Sequence, residues 1–194
     1  MKILVVGAGG IGSWLVEEIA ACMEQGQIDA FTEITVADND IVEVEQVKYQ
    51  NFQLEEAGMI KAKALAQRFK AVGIKAKPER IEKESQLKGY DFIVMCVDND
   101  ITRELVIRHC HKEGTDFLDL RATGRHIFVM PKRSLKQNLS FIDSQDKGEY
   151  SCQEEEDLEQ GLVQKGNKIA AMIGLQMLLN SLRGHENKEH SLTV

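Results

Sequence analysis

A hexapeptide with four glycines, Gly7-Ala8-Gly9-Gly10-Ile11-Gly12, separates an aliphatic run from a helical pattern and constrains the fold more than any other feature of the chain. Lys2 to Val6 reads as a short strand buried on both faces. Ile11, Leu15, Ile19 and Cys22 then recur at helical spacing to about Gln25. Glu33 to Ala37 is a second apolar run, and it stops at Asp38. Strand, glycine turn, helix and parallel strand make one crossover unit. Glycines in that turn let backbone N–H groups at a helix N-terminus approach a phosphate, and a carboxylate at the end of the second strand can take ribose hydroxyls. The alternative is a turn made of glycine only for close helix–strand packing.

The alternation continues. A helical pattern runs from Glu55 to about Val72, with Gly73 as its stop, and Lys75 to Ile81 reads as a strand that Pro78 places at or near a sheet edge. Asp91 to Val97 is the strongest strand signal, followed by a helix from Ile101 to Lys112. Phe117–Leu120 and His126–Met130 are two further strands across Thr123-Gly124. The pattern predicts an α/β fold with a mostly parallel sheet flanked by helices and antiparallel strands at one end. Residues 131–157 lack periodicity and turn acidic, and read as a long loop over the active face. A last helix spans about Leu162 to Leu182, so that residues 1–184 form a single domain and 185–194 a disordered tail.

Composition narrows the function. The 194 residues carry a net charge of −7, which supplies no basic face for general binding to nucleic acid or anionic membrane. No apolar stretch is long enough to span a bilayer, so a soluble, cytoplasmic protein is expected. The four cysteines are scattered without a CxxC, which predicts reduced thiols and no zinc.

Asp98-Asn99-Asp100 follows directly on the strongest strand, at the kind of strand end that lines the ligand crevice of an open α/β sheet. Its carboxylates suit Mg²⁺, while an Asx residue here also suits a helix cap. Lys61, early in its helix, is a phosphate ligand or a solvated surface lysine. Arg121, Arg125 and His126 surround a turn that meets an acidic tail or a phosphate, or is simply a basic turn on a sheet edge.

Four segments occur in one order: Gly7 to Ser13, Asp38-Asn39-Asp40-Ile41-Val42-Glu43, Gly58-Met59-Ile60-Lys61-Ala62, and Cys96-Val97-Asp98-Asn99 with Arg103. In this the chain resembles the ThiF/MoeB and ubiquitin-activating-enzyme superfamily over roughly residues 1–130. The resemblance implies a Rossmann-like fold that binds ATP and Mg²⁺ and adenylates the C-terminal carboxylate of a ubiquitin-like or sulfur-carrier protein or a peptide, acting as a homodimer. It further implies a nucleotide-binding set of Gly7, Gly9, Gly10, Gly12, Asp38, Asp40, Gln50, Lys61, Asp98 and Asn99, with Asp98 on the metal. Lys61 and Asp98 are then catalytic. Where the family has Asn-Leu-x-Arg-Gln, this chain reads Gln46-Val47-Lys48-Tyr49-Gln50, so Tyr49 replaces an arginine and Lys48 is the cation expected to compensate. Cys152, in the long loop, occupies a region where related enzymes place a reactive thiol. The rival readings are a nucleotide-binding scaffold with weakened catalysis and an NAD-binding redox protein, since a glycine turn with a terminal aspartate serves NAD equally well.

Overall fold

The computed structural model describes residues 1–143, 160 and 163–194. Seven strands form one sheet in the order β3-β2-β1-β4-β5-β6-β7. They are β1 (Lys2–Val6), β2 (Glu33–Ala37), β3 (Lys75–Lys77), β4 (Phe92–Met95), β5 (Asp116–Thr123), β6 (His126–Pro131) and β7 (His190–Thr193). The first five pair in parallel, and β6 and β7 are antiparallel. Among the described residues five α-helices flank the sheet: α1 (Gly10–Glu24), α2 (Lys61–Arg68), α3 (Asp100–Glu113), α4 (Leu135–Asp143) and α5 (Gly166–Leu182). None of them is long and apolar enough to cross a membrane.

Strand periodicity divides the core. Ile3 and Val5 point into one apolar layer with Leu15 and Ile19 of α1, Leu65 of α2 and Leu178 of α5. Leu4 and Val6 point into the other, with Ile107 of α3 and Ile142 of α4. Both sides of β1 are therefore dry, which explains its uninterrupted aliphatic sequence. The strand order reverses at β1, with β2 and β3 on one side and β4 on the other, and this switch point is where a ligand crevice opens at the carboxyl ends of the strands.

Three segments depart from the sequence reading. The helical pattern from Glu55 becomes a 3-10 turn at Leu54–Glu56 and an α-helix that starts only at Lys61, because Gly58 takes φ +83° and Ile60 is extended. The supposed loop 131–157 contains α4, where Leu139 and Ile142 pack into the second layer and Ser134 Oγ accepts the N–H of Gln137. The tail expected to be disordered forms β7, which covers the edge of β6 and sets Leu192 opposite Ile127.

Candidate functional site

The glycine turn sits at the switch point. Gly7 has φ +94°, and a Cβ there would lie 2.7 Å from the Cys96 carbonyl oxygen, so β1 and β4 approach too closely for any side chain. A Cβ on Gly12 would lie 2.0 Å from the Gly7 carbonyl oxygen, and one on Gly10 2.5 Å from the Asn167 amide nitrogen. Packing explains these three glycines, but not Gly9. A Cβ on Gly9 would meet nothing within 4 Å among the described residues. Gly9 is the residue before α1 and borders a cavity of about 330 Å³, so the space its missing side chain leaves open faces a helix N-terminus.

Asp38 extends from the end of β2 to this turn. Its Oδ2 accepts the Ala8 N–H at 2.6 Å and its Oδ1 the Asp40 N–H at 2.8 Å. Burial pushes its carboxyl above the usual carboxylate range, against the pull of those two hydrogen bonds. Lys61, the first residue of α2, is 4 % exposed, which excludes the solvated-lysine reading. Its N–H donates to the Asp40 carbonyl at 2.8 Å and its Nζ lies 3.9 Å from Asp40 Oδ2. Asp38, Asn39, Asp40, Lys61, Asp98 and Asn99 all border the cavity.

The 98–100 trio divides its labour. Asn99 caps α3, its side chain accepting the Thr102 N–H at 2.9 Å. Asp98 is exposed on the cavity wall, whereas the Asp100 carboxylate is buried away from it, so the two-carboxylate metal site narrows to Asp98.

The segment after Asp40 enters differently from the sequence expectation. Gln46 and Gln50 border the cavity, and their Oε1 atoms are buried with no hydrogen-bond partner among the described residues. Lys48 is exposed in the 3-10 turn Val44–Lys48 and is absent from the lining, as is Tyr49. Compensation by Lys48 is therefore corrected: the turn directs residues 46 and 50 inward and residue 48 outward. Asn51 fastens this segment to α1 through Ser13 Oγ at 3.0 Å and Glu17 Oε2 at 2.8 Å. Sequence reasoning also missed Arg80, Ile81 and Thr102, which line the cavity. The available signal was that residues just beyond β3 must lie at the same edge of the sheet as Asp38 and Asp98.

A second cavity of about 360 Å³ adjoins the first, and the two share Cys96, Val97 and Asp98. Its walls include Ile11, Ile127, Phe128, Phe141 and the guanidinium groups of Arg103 and Arg121. Both arginines pair with Asp119, which is fully buried, and Arg103 also donates to the Val97 carbonyl. Arg121 thus meets an internal carboxylate. Cys152 lies outside the described residues. Cys110 is buried and its thiol is pushed up to about 12 by burial, which makes it inert. No group of three metal-ligating side chains occurs among the described residues.

The ThiF family model matches residues 1–193. The chain belongs to the ThiF family. Within this family it is 25 % identical over 131 residues to the tRNA threonylcarbamoyladenosine dehydratase of Haemophilus influenzae, covering 63 % of this chain and 48 % of that protein. It is 29 % identical over 113 residues to the adenylyltransferase and sulfurtransferase UBA4 of Saccharomyces cerevisiae, covering 54 % of this chain and 24 % of that protein. The chain thus spans about half the length, or less, of these curated relatives. Among solved structures, PaaA superposes with a TM-score of 0.73 at 17 % identity over all of this chain and 60 % of its own. The E. coli dehydratase TcdA, in complex with AMP, gives 0.69 at 16 % identity, over 94 % of this chain and 86 % of its own. These likenesses establish the Rossmann-like fold of the ThiF family.

Proposed function

We propose that this chain is an ATP-dependent adenylyltransferase that activates the C-terminal carboxylate of a small ubiquitin-like or sulfur-carrier protein or of a peptide, and that it works as a homodimer. The observation that carries the reading is the pair of cavities meeting at Cys96–Asp98: a polar one beside a helix N-terminus with open space at Gly9, and one with apolar walls and two guanidiniums. A nucleotide fits the first, with phosphates at Gly9 and Gly10 and ribose at Asp38. The carrier's tail fits the second. Support from relatives is consistent: UBA4 is named an adenylyltransferase, TcdA has been solved with ATP, and E. coli MccB has been solved with MccA and AMPCPP.

In the proposed reaction a carboxylate oxygen attacks the α-phosphorus, the bond to pyrophosphate breaks, and an acyl-adenylate remains. Two anions must be brought together, so the protein's task is positioning and cationic stabilisation. Lys61, buried and tethered by its own N–H to Asp40, presents its ammonium to the phosphate oxygens. Asp98 at the junction of the cavities would hold Mg²⁺, whose chemistry there is to neutralise phosphate charge. The carboxylate side of the site is steadied by Arg103, which Asp119 and the Val97 carbonyl fix in place.

One observation favours the second reading, a scaffold with weakened catalysis. At the position of the family's arginine this chain has Tyr49, and neither it nor Lys48 borders the cavity. Thermal stabilisation by Mg-ATP, ATP without metal and NAD tests both. Stabilisation by Mg-ATP that weakens without metal or in Asp98→Ala supports the adenylating site; stabilisation by NAD alone overturns it. ATP–pyrophosphate exchange with a carrier then separates enzyme from scaffold.

A further inference from the structure

The base end of the nucleotide cavity is shaped by a loop that one side chain holds together. Residues 78–83 leave β3 without regular structure, and Glu79, Arg80, Glu82 and Lys83 are exposed. Of these, Ile81 is the residue buried in the core, at 3 % exposure. Gln86, in the 3-10 turn Glu84–Gln86, directs its whole amide at this loop. Its Oε1 accepts the N–H groups of Glu82 and Lys83, each at 2.9 Å. Its Nε2 donates to the Arg80 carbonyl at 2.9 Å and to Glu79 Oε2 at 3.0 Å. An amide side chain has two donor hydrogens and two acceptor lone pairs, so the capacity of Gln86 is fully used on four consecutive-loop partners. Gln86 is itself fixed, because Lys77 Nζ donates to its carbonyl at 3.2 Å. From the opposite wall Thr102 Oγ1 donates to the Ile81 carbonyl at 3.3 Å.

With phosphates at the glycine turn and ribose at Asp38, the lining left for the base includes Arg80, Ile81 and Thr102, the last two joined by their hydrogen bond. We propose that Gln86 is a positioning residue that sets base discrimination, by fixing the main chain of residues 79–83 against the edge of the base. The inference rests on the nucleotide reading above. The N–H groups of Arg80 and Ile81 take no partner among the described residues. Adenine N1 is an acceptor where guanine N1 carries a hydrogen, so a rigid main chain that presents such an N–H pairs with adenine and meets a second donor on guanine. A loose edge moves to suit either base. Gln86 therefore acts on selectivity without touching the ligand.

Calorimetric titration of Mg-ATP and Mg-GTP into the full chain, Gln86→Ala and Gln86→Glu, with a thermal melt of each, tests this. The wild-type chain is expected to prefer ATP by about tenfold or more, the effect of one or two hydrogen bonds. Gln86→Ala is expected to bring that ratio to about twofold, mainly by weakening ATP, with a small change in Tm because the loop is exposed. Gln86→Glu keeps the two acceptor bonds at Glu82 and Lys83 but sets a carboxylate oxygen against Glu79 Oε2 and the Arg80 carbonyl, so its ratio falls at least as far as that of Gln86→Ala. It also keeps the test open if Gln86→Ala does not fold. A ratio unchanged in both variants, including equal weakening of ATP and GTP, overturns the proposal and leaves the nucleotide reading standing, as does a wild-type chain that binds both equally. A wild-type chain that binds neither nucleotide overturns the nucleotide reading itself.

Discussion

The two cavities that meet at Cys96–Asp98 differ in what their polar groups already do. On the side of β1, β2 and β4, Gln46 and Gln50 hold carbonyl oxygens with no partner among the described residues, and Gly9 leaves open space. On the side of β5 and β6, Arg103 and Arg121 already rest on the buried carboxylate of Asp119. Unpaired polar groups in a cavity are a cost the free protein carries and a ligand removes, whereas a paired buried network belongs to the fold. The polar groups of the first side therefore await a ligand, while the arginines of the second are already held in place by the fold, with Asp98 between them. Asp119→Ala tests that division most severely. It takes the carboxylate away from the buried Arg103 and from Arg121, and is expected to lower unfolding stability by about 3–5 kcal/mol. Asp98→Ala, at an exposed site, is expected to change stability by less than about 0.5 kcal/mol while weakening Mg-ATP binding. Urea unfolding of both variants would erase the distinction if their losses came out equal.

Within the binding side the glycine turn gives a second, smaller contrast. Gly12→Ala drives a methyl group into the Gly7 carbonyl and is expected to cost about 1–3 kcal/mol. Gly9→Ala meets no atom within 4 Å among the described residues and is expected to cost less stability than Gly12→Ala, yet to weaken ATP binding by about tenfold or more by filling the space opposite the phosphates. If Gly9→Ala bound Mg-ATP like the wild-type chain, the open space at Gly9 would have no bearing on the ligand.

Asp38 joins the two effects in one group, and they run in opposite directions with pH. Its carboxyl is raised by burial, so the folded chain binds that proton more tightly than the unfolded chain does. Its contribution to the stability of the free protein is accordingly most favourable below the ordinary carboxylate value, and declines as pH rises through the window up to the raised value. Ribose hydroxyls, by contrast, need the ionised acceptor, so nucleotide affinity is expected to climb through the upper part of that same window. Titrating ATP from mildly acidic to neutral pH, with Asp38→Asn as reference, checks this: the variant should bind more weakly at neutral pH and with a flatter profile.

How much of this was legible depended on whether a residue's position followed from local periodicity. The aliphatic runs of β1, β2 and β4 are buried on both faces, so their ends, and with them Gly7, Asp38 and Asp98, could be located from the sequence. Gln46, Arg80 and Gln86 lie in segments held by side-chain hydrogen bonds and 3-10 turns, which leave no repeating pattern. The same holds for β7: its four residues, His190 to Thr193, become a strand through pairing with β6 rather than through their own composition. The helix α4 is a different case: Leu135, Leu139 and Ile142 do stand at the i, i+4, i+7 spacing of a helix, but its nine residues give only about two turns of that signal beside a long polar stretch.

Lys48 marks the point where sequence and structure diverge most usefully, and the smallest expected effect attaches to it. From the sequence, the lysine beside Tyr49 is the natural substitute for the missing family arginine. In the fold, the 3-10 turn Val44–Lys48 places its side chain in solvent, while Gln46 and Gln50 face the cavity. A solvated lysine outside the cavity wall acts on phosphate only through a screened field. Lys48→Ala is therefore expected to change Mg-ATP affinity by less than about twofold at physiological ionic strength, and Lys61→Ala to weaken it far more. Measured side by side, a large loss in Lys48→Ala would mean that this turn rearranges when nucleotide binds. A small one would leave Lys61 as the buried lysine that borders the cavity, with the amides of Gln46 and Gln50 beside it.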